Sequence, residues 1–385
     1  MFKIGIFTTT RAEFGILSPV IELLNKSDYF DVKLFVGGAH LAEEYGKTIS
    51  EIYSVGIEPT DTFDYLLNEN TSSSLSKSLG IATIELSHIF SKHDFDYVCV
   101  LGDRYELLSI ISNAILFNKP IIHIGGGEAT EGLIDEQIRH MITKASHIHF
   151  TTTDEYRQKI INMGESRWRV HTSGAPTIDA IKLMKKKSKN EIFTELGLDA
   201  NQPTALLTYH PVTLEFDVPV KDQIKNIFTA LEKFDLQLLT TSPNIEVDRD
   251  EIITIIKNET LLNENYFFIE SLGFKKYHNF LPHCILMIGN SSSGILEAPY
   301  YKIPTINIGR RQDGRMRHTS VIDTDYTSKS IANGIKEALS PSMKKKTETM
   351  QYKFGDGSAG QIIHDVLLKE LKNKSLMHKQ LIFAN

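Results

Sequence analysis

The stretch ILMIGNSSSGILE, Ile285 to Glu297, decides how the chain is read. An apolar run of strand length ends in glycine, asparagine and three serines, and a helix is expected from Gly294 through Glu297. Strand, tight turn and helix together are the repeating step of a parallel α/β sheet. The three serines admit two readings. Ser292 or Ser293 caps the helix and nothing more, or Ser291, Ser292 and Ser293 offer hydroxyls to an anion beside the unpaired donors of a helix N-terminus. Glu297, one turn further on, is placed to accept hydrogen bonds from a ribose diol, so a nucleoside diphosphate would satisfy both features.

Working outward, the same alternation recurs along the chain. Runs ending in Gly, Ser, Thr or Asp stand at Lys3 to Thr10 (KIGIFTTT), Val32 to Gly38, Tyr97 to Asp103, Ile121 to Gly127 and Ile148 to Thr153. A second series stands at Thr204 to Pro211, Gln237 to Asn244, Tyr266 to Ser271, Ile285 to Ser292 and Thr305 to Gly309. The fold class expected is α/β, with two Rossmann-like, doubly wound domains, and 385 residues are enough for two cores. The glycine and proline of SGAP, followed by the charged KLMKKKSK at Lys182 to Lys189, place the boundary near Gly174. The expected division is an N-terminal domain over 1–173, a C-terminal domain over 174–358, and a helix and tail over 359–385. The serine-rich Thr71 to Ser78 reads as a surface loop entering a helix.

Bulk properties exclude several classes. The net charge of −6 comes from intermixed acidic and basic residues, without the clustered positive face that nucleic acid requires. Cys99 and Cys284 lie in apolar runs and read as small buried hydrophobes rather than a disulfide or metal ligands. No apolar stretch reaches the ~18 residues of a membrane span, and the N-terminus lacks the length of a signal peptide, so a cytoplasmic chain with no membrane partner is expected.

In open parallel sheets, ligands collect at the carboxyl ends of the strands. There the sequence places Arg11, Asp103 with Arg104, Glu128, and Asp135 with His140 shortly after. In the second series it places His210, the triple serine, and Arg310, Arg311, Arg315 and Arg317 around the next strand end. Carboxylates with His and Arg suit acid and base work beside a leaving phosphate. Arginine forks suit its charge. Helix capping and local ion pairs are the plainer alternative for Asp103 and Glu128, and a solvated basic turn for the arginines. Among these residues the spacing offers no HxxxH or DxD pair for a metal. His123, His147 and His149, inside apolar runs, read as hydrogen-bonded core residues.

Taken in order, TTTRAEFG, LGDRYE, HIGGGE, GLIDEQIRH, YHP, SPN, MIGNSSSGILE and INIGRRQDGR resemble the hydrolysing UDP-N-acetylglucosamine 2-epimerases of sialic-acid and related nonulosonate biosynthesis. The resemblance runs from Lys3 to about Gly314. It implies a GT-B-like fold with the active site in a cleft between two domains, and a reaction free of metal and cofactor. UDP is eliminated anti from a UDP-sugar through a 2-acetamidoglucal, and water then adds to give the C2-inverted free sugar. It assigns Asp103, Glu128 and Asp135 as acid and base carboxylates, with His210 and Arg11 near the diphosphate and Arg104 beside the sugar. Ser291, Ser292, Ser293 and Arg315 take phosphate, Glu297 the ribose, Phe274 the uracil, and Asn244 the sugar. In Asn244 the SPNIEVDRD context departs from the shorter stretch of many relatives. The non-hydrolysing branch carries RPE-type and VEAGLR-type segments where this chain has TRAEFG and GGGEATEG. UDP-N-acetylglucosamine is placed ahead of UDP-2,4-diacetamido-2,4,6-trideoxyglucose, although no residue here addresses C4 or C6. The family also implies a homodimer or homotetramer. A GT-B glycosyltransferase and a non-catalytic UDP-sugar binding module stand as the competing classes.

Overall fold

The computed structural model describes residues 1–67, 71–212, 217–243, 248–380 and 382. The chain divides into two compact units. The first comprises Met1–Glu128, Asp135–Met184 and Phe354–Asn385, and the second Ala129–Ile134 and Lys185–Lys353.

The first unit is built on strands β1 (Phe2–Thr8), β2 (Phe30–Gly37), β3 (Asp61–Phe63), β4 (Tyr97–Leu101), β5 (Ile121–Ile124), β6 (Ile148–Thr151) and β7 (Val170–Thr172). All pairings are parallel, in the order β3-β2-β1-β4-β5-β6-β7. The second unit holds β8 (Thr204–Thr208), β9 (Gln237–Thr241), β10 (Tyr266–Ile269), β11 (Leu286–Gly289), β12 (Thr305–Ile308) and β13 (Val321–Thr324), again parallel, in the order β10-β9-β8-β11-β12-β13. Alternate residues of each sheet pack with helices into two separate cores, so the central strands are buried throughout rather than on one face. In each, the order reverses beside the first strand, between β1 and β4 and between β8 and β11. Crevices at such reversals are where doubly wound sheets bind ligands.

Three strands escaped the sequence reading: β3, β7 and β13. All are sheet edges of three or four residues. An edge strand has one partner and a partly exposed face, so its sequence needs no long apolar run.

Two further expectations are corrected. The serines after Thr71 lie inside a helix, Ser72–Lys92, not in a loop. Thr71 is its N-cap, accepting from Ser74 N at 3.1 Å, and Ser78 is buried, its hydroxyl accepting from Leu67 N at 3.1 Å. The change of unit comes at Met184 rather than Gly174, because the Pro176–Leu183 helix packs on the Arg11–Asn25 helix of the first unit. The helix Ala359–Glu370 belongs to the first unit as well. Its Ile363 and Leu367 join the core that includes Leu17, Val20 and Leu24.

Candidate active site

In the first unit, the chain leaving β4 and the helix Asp135–Ala145 are locked together by one side chain. Arg139 has no exposed surface; its Nε donates to the Asp103 carboxylate at 3.0 Å and its Nη2 to the same carboxylate oxygen. Nη1 donates to the Glu128 carbonyl at 2.8 Å and to the Glu136 carboxylate at 2.6 Å. A buried guanidinium is stable only when its donors are met in this way. Asp103, Glu128 and the start of the helix that begins with Asp135 are thereby gathered around one cation. Asp103 stays partly exposed, whereas Glu128 is buried, with the Thr152 hydroxyl 3.5 Å from its carboxylate. Gly127 permits this approach: its φ is +79°, and a side chain there would run into the Tyr156 carbonyl.

Arg104 turns to Glu106, donating from Nε at 3.2 Å and Nη2 at 2.8 Å, and Arg11 pairs with Glu51 at 3.2 Å. Behind them lies buried Glu13. It accepts from Thr9 N at 2.8 Å, Thr9 Oγ1 at 2.9 Å and Thr10 N at 3.0 Å, the last closing a capping box on the helix Arg11–Asn25. His123 is fully buried, 2.8 Å from the Gly102 carbonyl, and burial holds its pKa at about 3. His140 pairs with Glu136 at 3.1 Å.

In the second unit, β8 and β11 are tied at their ends. His210 N donates to Asn290 Oδ1 at 2.7 Å and Asn290 Nδ2 donates to the His210 carbonyl at 2.8 Å. Gln312 Nε2 and Arg311 Nη1 donate to the Asn290 carbonyl at 2.7 and 3.4 Å. Burial, with Arg311 as a lesser cause, holds the His210 imidazole well below its ordinary pKa, so it is neutral at physiological pH. Gly289, at φ +127°, allows the turn, since a Cβ would collide with the Thr208 carbonyl.

The serine loop follows directly. The helix after it is short, Ser293–Leu296, with Ser292 as N-cap, and the Ser292 side chain makes no capping hydrogen bond. Capping by Ser292 therefore does not account for the run. Ser291 Oγ accepts from Ser293 N at 3.3 Å, and Ser293 Oγ is hydrogen-bonded to the Tyr277 hydroxyl. Glu297 is half-buried; burial raises its pKa, against the lowering effect of its hydrogen bond with Ser293. Phe274 stands on the helix Gly273–Phe280, its ring 4.4 Å from that of His278.

The four arginines after β12 divide. Arg311 is buried on Asn290. Arg317 is spent on Asp323 at 2.8 Å and on the carbonyls of Gln312 and Arg315, both at 2.9 Å. Arg310 is largely exposed near Asp313, and Arg315 is half-buried. Asn244 lies outside the described residues.

Sequence reading missed Arg139, Tyr277, Asn290 and Gln312. Arg139 left a signal, an arginine one turn after Asp135 in a motif already singled out. Tyr277 left none, because it lies 16 residues before the serine it touches. Among the described residues, no helix is long and apolar enough to cross a membrane.

Residues 22–368 match the UDP-N-acetylglucosamine 2-epimerase family. A Legionella pneumophila protein named UDP-N,N'-diacetylbacillosamine 2-epimerase (hydrolyzing) is 34% identical over 370 residues, covering 95% of each chain. A Campylobacter jejuni protein named GDP/UDP-N,N'-diacetylbacillosamine 2-epimerase (hydrolyzing) is 33% identical, covering 99% of this chain and 98% of its own. The crystal structure of the UDP-GlcNAc 2-epimerase of Neisseria meningitidis bound to UDP-GlcNAc superposes with a TM-score of 0.81 at 18% identity, over 96% of this chain and all of that one. That last likeness speaks for the GT-B-like fold.

Proposed function

Because this chain belongs to the hydrolysing UDP-N-acetylglucosamine 2-epimerase family, and is thus an enzyme acting on a UDP-sugar, we propose that it epimerises C2 of a UDP-2-acetamido sugar while releasing UDP. The sugar proposed is 2,4-diacetamido-2,4,6-trideoxyglucose, the sugar of UDP-N,N'-diacetylbacillosamine. This reverses the order of the two sugars drawn from sequence, and the support is the names of the two relatives at 34% and 33% identity. UDP-N-acetylglucosamine is the second reading, favoured by the family description.

The observation that carries the reaction class is the buried Arg139 gathering Asp103, Glu128 and Glu136 at the carboxyl ends of β4 and β5. A carboxylate of the set Asp103, Glu128 and Asp135 removes the C2 proton. The C–H electron pair forms the C1–C2 double bond as the C1–O bond breaks, and UDP departs with that bond's electrons. Water then adds its oxygen at C1 and a proton returns to C2 from the opposite face, giving the manno sugar. A C2 proton is weakly acidic, so a positioned base lowers the barrier, and stabilising the leaving diphosphate lowers it further. In this reading Ser291, Ser292, Ser293 and Arg315 receive the diphosphate. Neutral His210 donates a hydrogen bond without adding charge. Glu297 accepts from the ribose, Phe274 flanks the uracil, and Arg104 is assigned to the sugar.

The test is UDP release from the two sugar nucleotides. The reading expects turnover of both or of one, with the higher kcat/KM on the diacetamido substrate. No UDP from either rejects the reaction, and a preference for UDP-N-acetylglucosamine reverses the order of substrates.

A further inference from the structure

Residues 372–380 run along the first unit and are fastened to it by more than packing. Arg169, buried, donates from Nη1 to the carbonyls of Leu376 at 2.9 Å and His147 at 3.0 Å, and from Nη2 to those of Ser375 at 3.1 Å and His378 at 2.9 Å. Ile382 N reaches the Gly164 carbonyl at 3.0 Å, and Leu376 lies in the apolar core. With the segment held at these points, the next side chain does something different. Lys379 Nζ donates to the carbonyls of Thr143 at 3.3 Å, Lys144 at 2.6 Å and Ser146, the end of the helix Asp135–Ala145. It also lies 3.0 Å from one oxygen of the buried Glu165 carboxylate, whose other oxygen takes Lys144 Nζ, while His149 Nε2 stands 3.5 Å away.

The last carbonyls of a helix lack partners within it, and they carry the negative end of its dipole. Lys379 supplies both the donors and the charge. Burial works against that charge, holding the ammonium down at about 8 despite the nearby Glu165. Fastening the tail does not require this cost, because Arg169 already does so. At its other end the same helix carries Asp135 and Glu136, and Arg139 one turn later. It is 11 residues, about 16 Å, and too short to bend appreciably, so a shift at its carbonyl end moves the end beside Asp103.

We propose that Lys379 is a positioning residue: seated on the carbonyl end of the Asp135–Ala145 helix, it holds Arg139, and through it Asp103 and Glu128, in register for the acid and base steps. The kinetic part rests on the epimerase reading above; the structural part does not.

The experiment compares the full chain with Lys379→Met, Lys379→Gln and Lys379→Arg. It reads kcat, KM and UDP affinity, and separately the hydrogen exchange of the Asp135–Ala145 amides. Small displacements of catalytic groups have large kinetic effects, so Lys379→Met is expected to lower kcat at least about tenfold. UDP affinity should stay within about twofold, exchange in the helix should quicken, and Lys379→Arg should restore most of kcat. Unchanged kcat with unchanged exchange overturns the proposal. A lower melting temperature with normal kcat, or exchange confined to the tail, overturns it too, since Lys379 would then only fasten the chain. If Lys379→Met fails to fold, the pair Gln and Arg decides, equal kcat being the contrary result. An inactive wild type refutes the epimerase reading alone, and the exchange measurement still tests the helix.

Discussion

Arg139 and Asp103, 36 residues apart in sequence, form an ion pair in which the arginine is wholly buried and the aspartate keeps a partly exposed face. The pairing orients the carboxylate. Asp103→Asn preserves the shape while removing the charge, and it is expected to lower kcat by about 10²-fold or more, the scale of a positioned acid or base. UDP affinity should persist, because the serine loop is untouched. Stopped-assay turnover beside calorimetric UDP titration checks both halves.

Tyr277 and Ser293 test the nucleotide-binding part. Burial raises the Tyr277 pKa, so the phenol keeps its proton and remains hydrogen-bonded to the Ser293 hydroxyl. Tyr277→Phe leaves the ring and frees that hydroxyl to wander. UDP binding should weaken by about 1 kcal/mol, roughly fivefold in Kd, and Ser293→Ala by more if its hydroxyl meets a charged phosphate. Equal Kd values for Ser293→Ala and wild type would remove the serine from the phosphate site.

The acid limb of stability should carry the signature of Glu165. Burial alone would raise its pKa, but the nearby His149 imidazole, the hydrogen bond from Lys144 and the charge of Lys379 outweigh it, and the value falls from 4.5 to about 2. A carboxyl depressed in the folded state contributes stability that is complete above the unfolded value and is lost as pH falls through the folded one. The stability difference between wild type and Glu165→Gln should therefore be flat between about pH 5 and 6, below the range in which Lys379 titrates, and shrink between pH 4.5 and 2. Denaturant titrations across that range measure it.

Gly289→Ala probes the turn that opens the serine loop. At φ +127°, with the Thr208 carbonyl where a Cβ would stand, alanine has no strain-free arrangement. A loss of about 3 kcal/mol or more is expected, from backbone strain plus displacement of β8. A melting temperature equal to wild type would contradict the strand-end geometry.

The central strands, and the collection of polar and charged residues at their ends, were legible because both follow local rules. A strand buried on two faces must be apolar, and chemistry-bearing residues collect where it stops. Edge strands were not legible, since nothing compels β3 or β7 to be apolar. Nor was the Thr71 to Ser78 run, where N-cap and buried serines belong to a helix whose reason is tertiary. Within the candidate site, the sequence pointed to the acidic residues but not to the side chain that holds Asp103 and Glu128. Arg139 sits in a motif that was read for its acids, and Tyr277 and Lys379 reach their partners only through the fold. Arg317, one of four arginines weighed as anion-facing or as part of a solvated turn, is instead consumed by Asp323 on β13.

The most direct test follows the C2 hydrogen. UDP-N,N'-diacetylbacillosamine incubated with the protein in D₂O should give UDP and free 2,4-diacetamido-2,4,6-trideoxymannose in equal amounts, with deuterium at C2 in every product molecule by NMR. Protium retained at C2, or UDP released with the sugar still in the gluco configuration, would mean that no glycal forms and would contradict elimination by the Asp103, Glu128 and Asp135 carboxylates.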